Sequence, residues 1–185
     1  MKPTRLVLAS VLGLAVLALA GCPSNQQRDT EAPVWYSSNI PAGPADVDTS
    51  VAADVFITSM TIESHGKSPT AVLTTEQDAQ FTEWVVTPVR SDGGTVASPV
   101  WHNYYSFFVP ANGSASLSNF RIFPSDDFRQ APLSALLPEN GGFDKETGKR
   151  NIRQTLHVEV FGKTTAGQSV SVAFDVNLNF FYLSP

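Results

Sequence analysis

The chain has 185 residues, enough for one ordinary domain with a buried core. A formal net charge of −5 and the lack of any strongly basic stretch exclude nucleic acid as an expected partner, since lysine and arginine must neutralise its phosphates. Cys22 is the one cysteine, so no intrachain disulfide can form and burial must hold the core.

The chain opens with MKPTRLVLASVLGLAVLALAGC. Lys2 and Arg5 make a positive leading region, and Leu6 to Ala20 is an uncharged apolar run. That run is short for a bilayer span, which needs about 20 residues, and suits the apolar core of a signal peptide. The ending Leu19-Ala20-Gly21-Cys22 resembles the bacterial lipobox. The resemblance implies cleavage of residues 1–21, a diacylglyceryl group on the Cys22 thiol, and often a further acyl chain, such as palmitate, on the new amine. Two or three acyl chains give stable membrane attachment where one does not. Among proteobacterial lipoproteins an aspartate after the cysteine favours inner-membrane retention. Pro23 stands there, so the resemblance implies an outer-membrane location, facing either side. Removing residues 1–21 deletes Lys2 and Arg5 and takes the formal charge to −7.

Residues 22–49 read as the lipidated cysteine followed by a flexible tether. The segment is polar, rich in proline and without periodicity, a composition that cannot bury enough surface to order itself. Fully stretched, Pro23 to Thr49 would reach roughly 90 Å. The stretch Pro33-Val34-Trp35-Tyr36 is a candidate edge segment docked on the body.

Residues 50–185 read as the body. The stretch 53–64 is rich in β-branched residues, with Phe56, Met60 and Ile62 on one face. A short strand is expected over 70–75 and a longer one over 80–90, where Trp84 and Val86 share a side and Pro88 marks an edge or bulge. Residues 91–94, Ser-Asp-Gly-Gly, have turn chemistry. An aromatic strand over 101–109, a turn at Asn112-Gly113, and strands over 116–123, 151–162 and 169–181 complete the set. The last alternates perfectly: Val170, Val172, Phe174, Val176, Leu178 and Phe180 on one face, polar or small residues on the other. About seven short strands with one-sided alternation predict an all-β fold, a single antiparallel β-sandwich. The pattern resembles an immunoglobulin-like or fibronectin-type sandwich without the antibody-type cysteine pair. That resemblance is architectural and implies no function.

Three places are candidates for chemistry. Residues 124–150 are long for a connection, and Ser125 is placed to cap a helical turn over 126–129. The plain reading is a solvated crossover between sheets. The functional one is a partner-binding loop carrying Asp126, Asp127, Arg129, Asp144 and Glu146, whose carboxylates are also the oxygen ligands a calcium ion would use, although no ligand spacing is recognisable. The sequence Asp46-Val47-Asp48-Thr49-Ser50 begins like a calcium loop but has Val51 where glycine and Ile57 where glutamate are required. Second, Trp101, His102, Tyr104 and Tyr105 form a candidate ligand surface on which a sugar would stack, against the plain reading of core packing. Third, His65, His102 and His157 are isolated. No zinc-ligand spacing occurs, no G-x-S-x-G elbow is present, and a triad would have to be assembled in space. Asn112-Gly113-Ser114 matches a glycosylation sequon but reads as a turn.

No catalytic residue, metal or cofactor is therefore expected. The expected function is a non-catalytic binding or assembly module for another envelope component, protein or polysaccharide. The alternatives are a carbohydrate-binding module using the aromatic surface and, last, an envelope hydrolase.

Overall fold

A strand with six apolar residues at every second position has one stable arrangement: that face inward, its neighbours paired at both edges. In the computed structural model, which describes residues 26–27, 31–40 and 46–183, the six inward residues of Ser169–Phe181 are all buried. The expected signal peptide, 1–21, and the expected lipidation site, Cys22, lie outside the described residues. Ten strands are described: β1 (Gln26–Gln27), β2 (Val34–Asn39), β3 (Asp46–Asp48), β4 (Val55–Gly66), β5 (Ala79–Arg90), β6 (Trp101–Asn103), β7 (Phe107–Val109), β8 (Ser114–Phe123), β9 (Asn151–Thr164) and β10 (Ser169–Phe181).

They form two sheets, ordered β1-β2-β4-β8 and β3-β10-β9-β5-β6, with β7 also on β5. Every pairing is antiparallel except β3 with β10. The two sheets pack face to face as an all-β sandwich, with Trp84 of β5, the strand between β9 and β6, fully buried between them. Trp84 stacks on Phe120 of the other sheet at 3.7 Å between ring centroids and meets Phe107 and Phe174 at its edges. Aromatic packing thus fills the middle of a core that has no disulfide. β10 faces the other sheet as expected, and Phe180 packs on Phe123 at 5.0 Å. β9 and β10 form an uninterrupted hairpin from Lys163–Ser169 to Asn151–Phe181, closed by Gly167 at φ 83°.

Three expectations are corrected. The segment read as a tether holds strands: β2 lies between β1 and β4, and Ala32, Val34, Tyr36 and Val47 are core residues. Alternate apolar residues in so short a run are outweighed, in composition, by the surrounding prolines. Residues 70–75 are not a strand. They form an exposed loop that ends in a 3-10 turn, Thr75–Gln77, where Thr74 and Gln77 make a capping box. Phe56 faces solvent. The two paired strands β4 and β8 both present two successive exposed residues, Thr58–Ser59 and Ser118–Asn119, with Asn119 at φ 51°. That doubling puts Ile57, rather than Phe56, on the inner face with Met60 and Ile62. The expected turn at Asn112 and Gly113 is present and carries the chain from one sheet to the other, β7 pairing with β5 and β8 with β4.

Candidate functional site

The aromatic strand is broken. β5 pairs with β6 through Trp84–Val86 and with β7 through Ala79–Phe81. Between those pairings β5 has two residues, Thr82 and Glu83, and the opposing chain has three, Tyr104 to Ser106. The extra residue bows the chain outward, as a bulge does. Trp84 Nε1 donates to the Tyr105 carbonyl at 3.2 Å and Gln80 Nε2 donates to Ser106 Oγ, which pins the bow to the sheet. Tyr104 is 76% exposed, Tyr105 48% and Phe108 50%. Tyr105 also sets its edge on Phe120, at 5.8 Å.

The four predicted surface residues are therefore divided. Tyr104 and Tyr105 lie on the bow. Trp101 is half-buried against β8, with the Arg121 guanidinium 5.0 Å from its ring centre. His102 pairs opposite Val85 on the outer face of the larger sheet, 3.5 Å from Glu83. Phe108 belongs to the exposed aromatic surface and was not among the residues singled out. Its signal was alternation with Phe107, which is buried.

The loop residues are divided too. Three short 3-10 turns, Ser125–Arg129, Leu133–Leu136 and Pro138–Asn140, close one end of the sandwich with Phe128, Leu133 and Leu136 inside. Ser125 does not cap the first turn. Asp54 does, accepting from the Ser125 amide at 2.8 Å and from Arg121 at 3.0 Å, and those bonds hold its carboxyl below the usual range. Asp126 and Arg129 are exposed. Asp127 is buried, and burial, with Asp126 beside it, pushes its carboxyl above the usual value.

Asp144 and Glu146 converge instead on Arg90, which sequence reasoning missed. Its guanidinium is almost wholly enclosed. It donates to both oxygens of Asp92 at 2.8 and 3.0 Å, to Asp144 Oδ2 at 2.7 Å and to the Val96 carbonyl at 3.1 Å. Asp92 also accepts from the amides of Gly94 and Arg153. Burial works to raise the Asp92 pKa, but these bonds outweigh it and leave it at about 2. Asp144 is likewise held low against its burial by Thr147 and Arg90. Glu146 is held low by Thr95 and by the amides of Thr95 and Val96. These oxygens are spent on tying residues 90–96, 144–147 and 153 together, which is structural work. Among the described residues no group of three or more His, Cys, Asp or Glu is placed to hold a metal ion.

The histidines occupy separate places. His65 Nε2 lies 2.7 Å from Ser37 Oγ and its ring stacks on Trp35 at 4.3 Å. Glu63 stands 3.8 Å from that same Nε2. A relay needs the carboxylate on Nδ1, opposite the nitrogen that faces the serine, so this trio has the wrong geometry for one. His157 Nδ1 bonds Asp175 at 2.8 Å on the outer face of the larger sheet.

No family model matches the chain, and no curated protein matches it.

Proposed function

We propose that the chain is an outer-membrane lipoprotein whose sandwich is a non-catalytic module that binds or assembles another envelope component. The anchor half of this reading rests on the lipobox-like ending at Cys22. The binding half rests on one observation: Tyr104 and Tyr105 stand exposed on a bow whose backbone is pinned from beneath by Trp84, and Phe108 is exposed on β7 just beyond it. Exposed apolar side chains on a fixed backbone mark an interaction surface, and tyrosine contributes contact area at little conformational cost. Tyr104→Ser with Phe108→Ser is expected to abolish co-purification of partners from detergent-solubilised envelopes while leaving the melting temperature unchanged. Recovery of the same partners by wild type and variant sinks the surface, and repeated recovery of the wild-type protein alone sinks the binding reading. Radiolabelled palmitate in living cells checks the anchor.

A carbohydrate ligand is the second reading, favoured by the polar groups beside the rings: Asn103, Ser106 and Gln80. Glycan-array binding that disappears in Tyr104→Ala with Tyr105→Ala supports it. Binding that survives both substitutions removes it.

A further inference from the structure

Gln26 pairs with Ser37 and Gln27 with Tyr36, so the smaller sheet begins four residues after Cys22. Four Cα steps of about 3.8 Å limit the distance from Cys22 to the first paired residue to about 15 Å. Across the larger sheet, from β3 to β6, there are four strand spacings, which span about 19 Å. The leash is shorter than the body is wide.

The strand orders fix which side it leaves from. β8 lies over β5, β6 and β7: Phe120 stacks on Trp84 and meets Tyr105, and Arg121 covers Trp101. β8 is last in its sheet and β6 last in the other, so both stand at one long side of the sandwich. β1 and β3 are the opposite ends of the same two orders and stand at the other side. Thr49, just past β3, donates to the Phe181 carbonyl at 2.8 Å and ties that side to the end of β10.

We infer that the body rests against the bilayer that carries its anchor, with the β1 and β3 side toward the lipid and the aromatic bow on the side away from it. This rests on the lipoprotein reading above. The lipid-facing side contributes Asp46 and Asp48 with Asn179, joined by an Asn179 Nδ2 to Asp46 Oδ1 bond. Such groups do not enter hydrocarbon, so the acyl chains supply the attachment and the side chains meet headgroups. The partner of the bow must then lie within about one body width of the membrane surface.

The test uses the full lipidated protein in phospholipid vesicles that contain a nitroxide-headgroup lipid. Asp46→Cys and Tyr104→Cys each carry one thiol-reactive dye, Cys22 being blocked by its thioether. The dye at 46 is expected to lose most of its fluorescence and the dye at 104 to keep most of it. A glycine–serine linker of about 30 residues between Asn25 and Gln26, with an r.m.s. span of roughly 30 Å, is expected to erase the difference. Equal quenching without the linker, or stronger quenching at 104, overturns the placement while palmitate labelling leaves the anchor standing. A sample without acyl label overturns both.

Discussion

Enclosing a guanidinium beside carboxylates is favourable only when its donors find acceptors and each acid keeps its own bonds, and the Arg90 group meets that condition at every acid. Removing the cation alone would strand Asp92 and Asp144, so Arg90→Met is expected to cost about 3 kcal/mol in urea unfolding. Arg90→Lys should recover little, because a compact ammonium cannot reproduce the fork that spans both oxygens of Asp92. The same group sets an acid limit. Asp92 is lowered from 3.8 to about 2 on folding, so its contribution is whole above pH 3.8 and fades as pH falls through 2. That contribution is about 2 kcal/mol. Asp144 and Glu146 are shifted in the same direction. Stability followed from pH 7 to pH 2 should therefore fall more steeply below pH 4 in the wild type than in Asp92→Asn. Asp127 has the opposite sign. Its raised carboxyl opposes folding while charged, and the opposition eases as pH falls through its folded pKa. Asp127→Asn keeps an oxygen for the Gln130 Nε2 bond at 2.8 Å and removes the charge. It should melt higher at pH 7 in a thermal scan, with the gap closing in acid.

At the level of elements, Trp84 does two things that separate under substitution. Trp84→Phe keeps an aromatic ring in the core but removes the donor to the Tyr105 carbonyl. A lost bond of this kind costs about 1 kcal/mol, and the local effect should exceed the global one: faster hydrogen exchange across 101–109, with the β9–β10 hairpin unchanged. Exchange unchanged over 101–109 would mean that the bow is held by its other contacts. The elements also show what a sequence can carry. β9 and β10 were legible because apolar residues recur at every second position of β10 and the two strands pair with no break in register. Phe56 was misplaced because the doubled residues at Thr58–Ser59 and Ser118–Asn119 leave no mark on hydrophobicity, only a positive φ at an asparagine. The stretch 70–75 has strand-like composition but no partner strand, and its Thr74–Gln77 capping box decides the local structure. The exposed tyrosines were legible as residues, while their division from Trp101 and His102 depends on a count of three residues opposite two. Arg90 and Asp144 were not legible as a pair, being 54 positions apart and joined only by the way the loop after β8 returns.

For the whole molecule, the decisive question is where the body begins. Val34 and Tyr36 are fully buried, Tyr36 so thoroughly that desolvation pushes its pKa to about 12, and its ring meets Phe81 of the opposite sheet edge-on at 5.1 Å. Val47 adds a further core side chain from β3. At about 1.5–3 kcal/mol each, these three alone contribute about 5–9 kcal/mol. A domain's net stability is only about 5–15 kcal/mol. Cutting before residue 50 also leaves the smaller sheet with β4 and β8 alone and strips the outer strand from β10. A fragment of residues 24–185 should therefore unfold in one sharp thermal transition, and a fragment of 50–185 should show none and bind a hydrophobic dye at room temperature. Matching melts would mean that residues 26–49 are dispensable to the fold. In that case the stretch between the proposed anchor at Cys22 and the body would lengthen from four residues to more than twenty, and the orientation inferred for the aromatic bow would lose its basis.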